Sequence, residues 1–401
     1  MRILLTANAS YAPPRGGATR SNLLWLDRLA CHGHECRVVC GAPGEGAELR
    51  AHGSIAVLSL AEPARRLQAL RAEIRDFQPD WVLVSSEDLS HALLRQSHQS
   101  APGRVVYLAH TPQFFPFGQA SWNPDRHAAD LVAQSAGIVT IGQHMAAYVE
   151  RALARPVAVI HPPIYGAGPF ANFANFDEGL ITMLNPCAVK GISIFLEVAA
   201  RMPAYRFGVV PGWGTTAEDR RALDRIPNIE FLPNARRIDD VLARTRLLLM
   251  PSLWYEGFGL ITMEAMLRGL PVVASDSGGL QEAKRGTGYV IPVATIQRYE
   301  PLFDEHAMPK PVVPANDPAP WIAAVTELLT NRAAYERESA ASREAASRFV
   351  AGIDAGRMER YLSELQRGTV SRPEPVTVES LSPEKRALLL QRLLHRRKAG
   401  R

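Results

Sequence analysis

A chain of 401 residues exceeds one ordinary domain and suits two. With 47% hydrophobic and 21% charged residues and no low-complexity block, the composition excludes disordered and fibrous classes. The net charge of +5 invites a nucleic-acid partner, but residues 383–401 hold seven Lys/Arg against one Glu. That local +6, set against +5 overall, leaves −1 for the other 382 residues, so the basic excess is a tail property and no nucleic-acid partner is expected.

The strand-like run RILLT begins at Arg2, which leaves no length for a cleavable leader, and no apolar run approaches the roughly 18 residues of a membrane helix. The expectation is a cytoplasmic protein without a transmembrane segment. In chain order, RILLT, CRVVC, IAVLSL, WVLVSS, RVVYLAH, GIVTIG and VAVIHP read as strands. Amphipathic stretches such as ATRSNLLWLDRLACH and PARRLQALRAEIRDF read as the helices between them. Near-continuous apolar strands alternating with helices predict a parallel sheet covered on both faces, whose ligands bind beyond the carboxyl ends of the strands. Cys31, His32, His34, Cys36 and Cys40 sit close together, but no CxxC pair and no second half-site accompany them. They fit a helix ending at Gly33 and the strand after it, so no metal site is expected.

Residues 162–178, rich in Pro, Gly, Asn and aromatics, read as a linker between a first domain at 1–161 and a second at 179–340. The second series alternates again: LITMLN, YRFGVV, IEFLP, LLLMPS, PVVAS and GYVIP as strands, with helices near 190–201, 217–225, 238–245 and 260–268. Residues 293–318 are Pro-rich and poorly periodic. Helices follow near 319–330 and 333–366, the second containing Gly352 and Gly356, where it is expected to bend or break. Residues 341–366 are expected to cross back to the first domain, and 367–401 to form a linker and a basic amphipathic helix. The fold class expected is α/β, two facing Rossmann-like doubly wound sheets with a helical tail.

The chemistry concentrates in residues 251–282. Glu256 and Glu264 flank Gly257-Phe258-Gly259, and a helix opens at Leu260. A glycine loop at a helix start offers free backbone N–H groups and the positive dipole end to a diphosphate, while carboxylates accept from sugar hydroxyls. Ile261, Met263, Ala265, Met266 and Leu267 surround Glu264, which argues against a plain solvated glutamate. The pattern points to a nucleotide-sugar enzyme.

The segment EGFGLITMEAMLRGLPVVASDSGGLQE resembles the signature of the retaining glycosyltransferases of family 4, which have the two-domain GT-B architecture. PPRGGATRSNLLWLDRLACHGHECRVV is similar to that family's opening strand, glycine loop and helix, and VKGISIFLEVAARMP to its Lys-Gly element. VVPGWG and NIEFLPNARRIDDVLARTRLLLMPS match later landmarks, so the resemblance covers about residues 1–365. It implies that Glu264 binds the ribose, that Glu256 lies near the transferred sugar, and that Lys190 neutralises the leaving diphosphate. Backbone amides of Gly257, Phe258, Gly259 and Leu260 would contact sugar and phosphate. Gly16 and Gly17 would approach the phosphates from the first domain, His110 would face the sugar, and Phe231 and Leu232 would border the base. The resemblance implies no obligatory metal; no cofactor is expected beyond the donor, and the donor of a hexose is taken as a UDP-sugar by default only because such donors are common. The first domain, 1–161, is expected on the acceptor side and the second, 179–340, to hold the nucleotide sugar; the acceptor expected is a small molecule or carrier-bound, and its link to natural-product biosynthesis comes from the tail. One position departs from the pattern: Asn185 stands where the family has an arginine, leaving the diphosphate one cation short, with Arg20, Arg236 or Arg237 as substitutes.

Two rival readings are a nucleotide-sugar epimerase or phosphorylase on the same architecture, and a non-catalytic binding domain. In the tail, LSPEKRALLLQRLLHRR resembles the linker helix preceding condensation domains of nonribosomal peptide synthetases, which implies a downstream synthetase module through residues 382–401. A basic helix for an anionic membrane is the alternative.

Overall fold

The computed structural model describes residues 1–366 except positions 15, 43, 45 and 236; the tail expectation for 382–401, and Arg236, lie outside the described residues. The first sheet comprises β1 (Arg2–Thr6), β2 (Glu35–Gly41), β3 (Ala47–His52), β4 (Ile55–Leu60), β5 (Trp81–Ser85), β6 (Val105–Ala109), β7 (Gly137–Thr140) and β8 (Ala158–Val159). Their order is β3-β4-β2-β1-β5-β6-β7-β8, and every pair is parallel except β3 with β4. The polar β3, sequence AELRAH, was not expected as a strand: its residues are exposed or half-buried, so no hydrophobic alternation marks it.

The second sheet comprises β9 (Leu180–Leu184), β10 (Phe207–Val210), β11 (Ile229–Phe231), β12 (Thr245–Met250), β13 (Val272–Ser275) and β14 (Val290–Ile291). It is wholly parallel, in the order β11-β10-β9-β12-β13-β14. Both expected doubly wound sheets are therefore present. The Pro-rich segment was read as irregular, yet it folds into an antiparallel ribbon, β15 (Tyr299–Phe303) with β16 (Pro309–Pro311). Proline removes ladder donors, so a two-stranded ribbon tolerates it where a central strand would not.

Alternate residues of each strand feed opposite faces. On the second sheet, Leu248, Val272 and Ala274 pack with Met263 and Met266 of the helix Leu260–Leu267. Leu247, Leu249 and Val273 pack on the other face with Phe195, Leu223 and Val325 from the helices Ile192–Arg201, Ala217–Asp224 and Ala319–Thr330. The two faces thus carry different machinery, and the site is organised around that division.

The terminal helical region is two helices, Arg332–Ala351 and Arg357–Glu364, separated at Gly352 and Gly356. Residues 341–351 belong to the helix that packs on Leu260–Leu267 and Ala319–Thr330, with Phe349 also reaching His161 of the first domain at 4.8 Å, and the crossing onto the first sheet is made by Arg357–Glu364. Its Met358 and Leu362 join the first-sheet core, and Trp81 Nε1 donates to Leu362 O at 3.0 Å. His32 Nδ1 and His34 Nε2 meet the Glu359 carboxylate at 2.5 and 2.8 Å. The paired histidines of the CHGHEC segment therefore fasten this crossing helix.

Candidate active site

The loop after β12 carries Glu256 to the carboxyl edge of the second sheet. Glu256 is 7% exposed, accepts from Lys190 Nζ at 2.5 Å, and accepts from Ser252 Oγ. Burial pushes its carboxyl up, but the Lys190 charge and these hydrogen bonds outweigh it and hold the group below the ordinary glutamate range. Lys190 Nζ also lies 4.6 Å from the centre of the Trp254 ring. The lysine ends a short 3₁₀ turn, and Gly191 follows with φ +81°. A Cβ on Gly191 would stand 1.9 Å from Pro251 O, so only glycine lets this turn lie against the β12 loop and deliver Lys190 to Glu256.

Glu264 lies on the second turn of the helix Leu260–Leu267 and is also buried. Its partner comes from the other domain: Arg20 Nη2, on the helix Gly16–Cys31, stands 3.3 Å from Glu264 Oε1. Burial raises the Glu264 carboxyl above its ordinary value, and the Arg20 charge only partly offsets this. Arg268 Nη1 donates to Glu264 O, and the Arg268 guanidinium is held by Asp239 at 2.6 Å, which fixes the end of that helix.

The first domain faces this loop closely. A Cβ on Gly17 would come 2.9 Å from Leu260 Cδ1, and one on Gly257 would come 2.5 Å from His110 O. Gly16, with φ +86°, opens the helix behind Gly17. Phe258 does not face the cleft freely: it is 2% exposed and stacks on Phe349 at 5.6 Å, leaving its backbone and those of Gly257, Gly259 and Leu260 at the helix start. His110 is 4% exposed, with its ring stacked near Trp25. Asn22 donates from Nδ2 to Tyr11 Oη at 2.7 Å and to Ser85 Oγ at 3.0 Å, so its Oδ1 accepts from His110 Nε2 at 2.8 Å. The proton is then on Nε2, and Nδ1 keeps a buried lone pair with no partner among the described residues. Burial holds the ring below the ordinary histidine pKa, hence neutral at neutral pH.

The remaining sequence expectations meet different fates. Leu232 turns its side chain into a core of Leu180, Val210 and Val241, and its amide is bonded to Val209 O, so a base contact there is left to its carbonyl. Phe231 is half-buried at the end of β11. Arg237 is largely exposed, 3.8 Å from Asp239, whereas Arg20 stands at the cleft. Asn185 adopts φ +54° and accepts from the Gly214 amide at 2.9 Å, bracing the loop after β10. Asn22, Ser252 and the Arg20–Glu264 pair were not singled out as site residues from the sequence. A polar asparagine on the buried face of the helix Gly16–Cys31 was the available signal for Asn22; nothing local marks a pair 244 residues apart.

Residues 15–165 match the family model Glycosyltransferase Family 4, and residues 179–331 match Glycosyl transferases group 1, together about three quarters of the chain. A comparison with curated proteins gives no match. Sucrose-phosphate synthase from Thermosynechococcus elongatus superposes with a TM-score of 0.69 at 17% identity, over 91% of this chain and 98% of that one. HepE of Anabaena, in complex with UDP and glucose, gives 0.66 at 18% identity, over 91% and 100%. WaaG, a glycosyltransferase involved in lipopolysaccharide biosynthesis, gives 0.63 at 15%, over 91% and 100%. These likenesses carry the architecture, and the two domain matches carry the family: the chain belongs to the glycosyltransferases of GT-B type.

Proposed function

We propose that this enzyme transfers a hexose from a nucleotide-diphosphate sugar, UDP by default, with retention at the anomeric carbon and without an obligatory metal. The observation that carries the reading is the pair of buried carboxylates, each set against a cation, on either side of the helix start at Leu260. Lys190 would share its charge between Glu256 and the leaving diphosphate, and the backbone amides of Gly257 to Leu260 would supply, as hydrogen-bond donors, the positive potential a metal supplies elsewhere. Glu256, kept ionised, would accept from a hydroxyl of the transferred sugar, and Glu264 from the ribose. Neutral His110 would accept a sugar hydroxyl at Nδ1, with Asn22 fixing the tautomer. Retention follows a front-face displacement: the bond from the anomeric carbon to the diphosphate oxygen breaks, the acceptor oxygen bonds on the same face, and its proton goes to the departing phosphate. The HepE structure with UDP and glucose supports the default donor. No helix among the described residues is long and apolar enough to cross a membrane; a cytoplasmic site of action, and an acceptor that is a small molecule or carrier-bound, are part of the proposal.

The test is a thermal-shift panel of nucleotide sugars, which a bound donor answers by mass action. It is followed by product analysis with the stabilising donor in EDTA. Stabilisation by a UDP-sugar and an α-linked product from an α-linked donor are expected. A β-linked product refutes retention, activity lost to EDTA and restored by Mg²⁺ refutes metal independence, and a new sugar nucleotide formed without acceptor makes the enzyme an epimerase.

A further inference from the structure

The diphosphate cation that the resemblance expects at position 185 is replaced there by a packed contact. Asn185 adopts φ +54°, a left-handed backbone that asparagine tolerates better than longer side chains do, and its Oδ1 accepts from the Gly214 amide at 2.9 Å. A Cβ on Gly212 would stand 2.5 Å from the same oxygen, so the loop after β10 closes directly on this short side chain. An arginine at 185 would have to push that loop away. Lys190 is committed to Glu256 at 2.5 Å, so a diphosphate would meet a cation already shared. Among the described residues, the substitutes for position 185 are Arg237, which is 75% exposed beside Asp239, and Arg20, which stands at the cleft.

Arg20 is placed by two helix starts that meet. The helices Gly16–Cys31 and Leu260–Leu267 begin against each other: a Cβ on Gly17 would come 2.9 Å from Leu260 Cδ1. Neither helix has an acidic residue in its first turn, so two positive dipole ends converge without a carboxylate of their own. One turn further into each helix, Arg20 Nη2 meets Glu264 Oε1 at 3.3 Å. That turn is about 5 Å of axial rise, which an arginine side chain can swing across. The contact is loose. It exceeds the roughly 2.7–2.9 Å of a tight charge-assisted bond, uses one guanidinium nitrogen, and is the only bond of that guanidinium among the described residues. The Arg20 side chain is 44% exposed. Beside the pair, the Tyr165 hydroxyl is buried without a hydrogen-bond partner among the described residues, and the charges of Glu264 and Arg20 both act on it. An unmatched hydroxyl next to a buried carboxylate suits a ligand that brings hydroxyls of its own.

We propose that Arg20 is a donor-binding residue that changes partner: without donor it holds Glu264, and when ribose hydroxyls occupy Glu264 the guanidinium turns to the two helix starts and binds the diphosphate, filling the place left by Asn185. The inference rests on the transferase reading above. It balances charge in both states. In the empty site each buried carboxylate has one cation, Lys190 for Glu256 and Arg20 for Glu264. In the occupied site the ribose hydroxyls satisfy Glu264, and the freed guanidinium offers its planar fork of donors to phosphate oxygens.

The experiment is a double-mutant cycle on UDP affinity, measured by titration calorimetry of the full chain. The four proteins are the wild type, Arg20→Gln, Glu264→Gln and the doubly substituted chain. Arg20 is partly exposed, so the fold should survive its replacement, and a thermal melt of each protein checks this. Arg20→Gln is expected to weaken UDP binding about tenfold or more, the loss of a charge-assisted contact to phosphate. The same factor is expected on the Glu264→Gln background, because that contact does not run through the carboxylate. An arginine that acts only by neutralising Glu264 gives a loss that vanishes once residue 264 is glutamine. That result overturns the proposal, as does a UDP affinity unchanged in Arg20→Gln; in both cases UDP still binds the wild type and the donor reading stands. Failure of UDP to bind the wild type removes the UDP donor and the role of Arg20 together.

Discussion

Glu256 and Glu264 are both buried carboxylates, eight positions apart, yet they are held in opposite ways. Glu256 meets Lys190 of its own domain at 2.5 Å, and its carboxyl is held low. Glu264 meets Arg20 of the other domain at 3.3 Å; Arg20 is 44% exposed, and burial leaves the Glu264 carboxyl high. The Lys190–Glu256 pair is thus formed within one domain. The Arg20–Glu264 pair depends on the domains meeting, so the charge state of Glu264 responds to their separation.

The largest effect should come from breaking the self-contained pair. Lys190→Met leaves Glu256 buried without its cation, which should cost about 3–5 kcal/mol of stability, measured by urea unfolding of the second-domain signal. On the proposed role of Lys190 toward the leaving diphosphate, turnover should fall about 10²–10³-fold. The pH dependence has a definite sign. Because the folded Glu256 pKa lies below its unfolded value, the ionised pair stabilises the protein at neutral pH. That contribution fades as pH falls from the ordinary value of 4.5 through the folded one. Urea midpoints between pH 7 and 3 should lose this slope in Glu256→Gln; an unchanged slope would show that the pair is not what titrates.

Glu264→Gln should show the reverse. The folded pKa lies above the unfolded one, so the protonated form is favoured in the fold, and stability is lost as pH rises from 4.5 through the folded value. The variant should therefore be at least as stable as the wild type at pH 7, while UDP binding weakens about tenfold for want of a charged acceptor. Arg20→Ala should deepen the same effect, raising the Glu264 carboxyl further. If Glu264→Gln is markedly less stable at pH 7, the two carboxylates are held alike and the contrast fails.

How much of this could be read from the chain follows from the range of the interactions. The strands other than β3 and the ribbon are apolar runs, the Gly-Phe-Gly loop and both glutamates are contiguous, and His110 ends a strand, so local pattern sufficed for the architecture and for naming these residues. The polarity of AELRAH hid β3, and the prolines hid the ribbon β15–β16. Arg20 was named as a spare cation, but its attachment to Glu264 is a tertiary fact. Asn185 looked like a deficit because only its missing charge was visible; its bond to Gly214 required the loop geometry.

The smallest effect tests the domain contact itself. Glu282, on the second domain, accepts from the amides of Gln143 and His144 at 2.9 Å each, capping the helix Gln143–Leu153 of the first. A carboxylate at a helix N-terminus gains about 0.3–1 kcal/mol from the dipole beyond its hydrogen bonds. Glu282→Gln keeps one acceptor oxygen, and loses the charge and one of the two solvent-exposed hydrogen bonds, so opening at that helix start should become easier by about 1 kcal/mol. Hydrogen exchange at Gln143 and His144 should then speed up by up to about fivefold, with exchange in β12 beneath the Glu256 loop unchanged. Equal acceleration in β12 would mean that the domains do not open independently of the Glu256 side, and that closure and leaving-group chemistry are one cooperative unit rather than two.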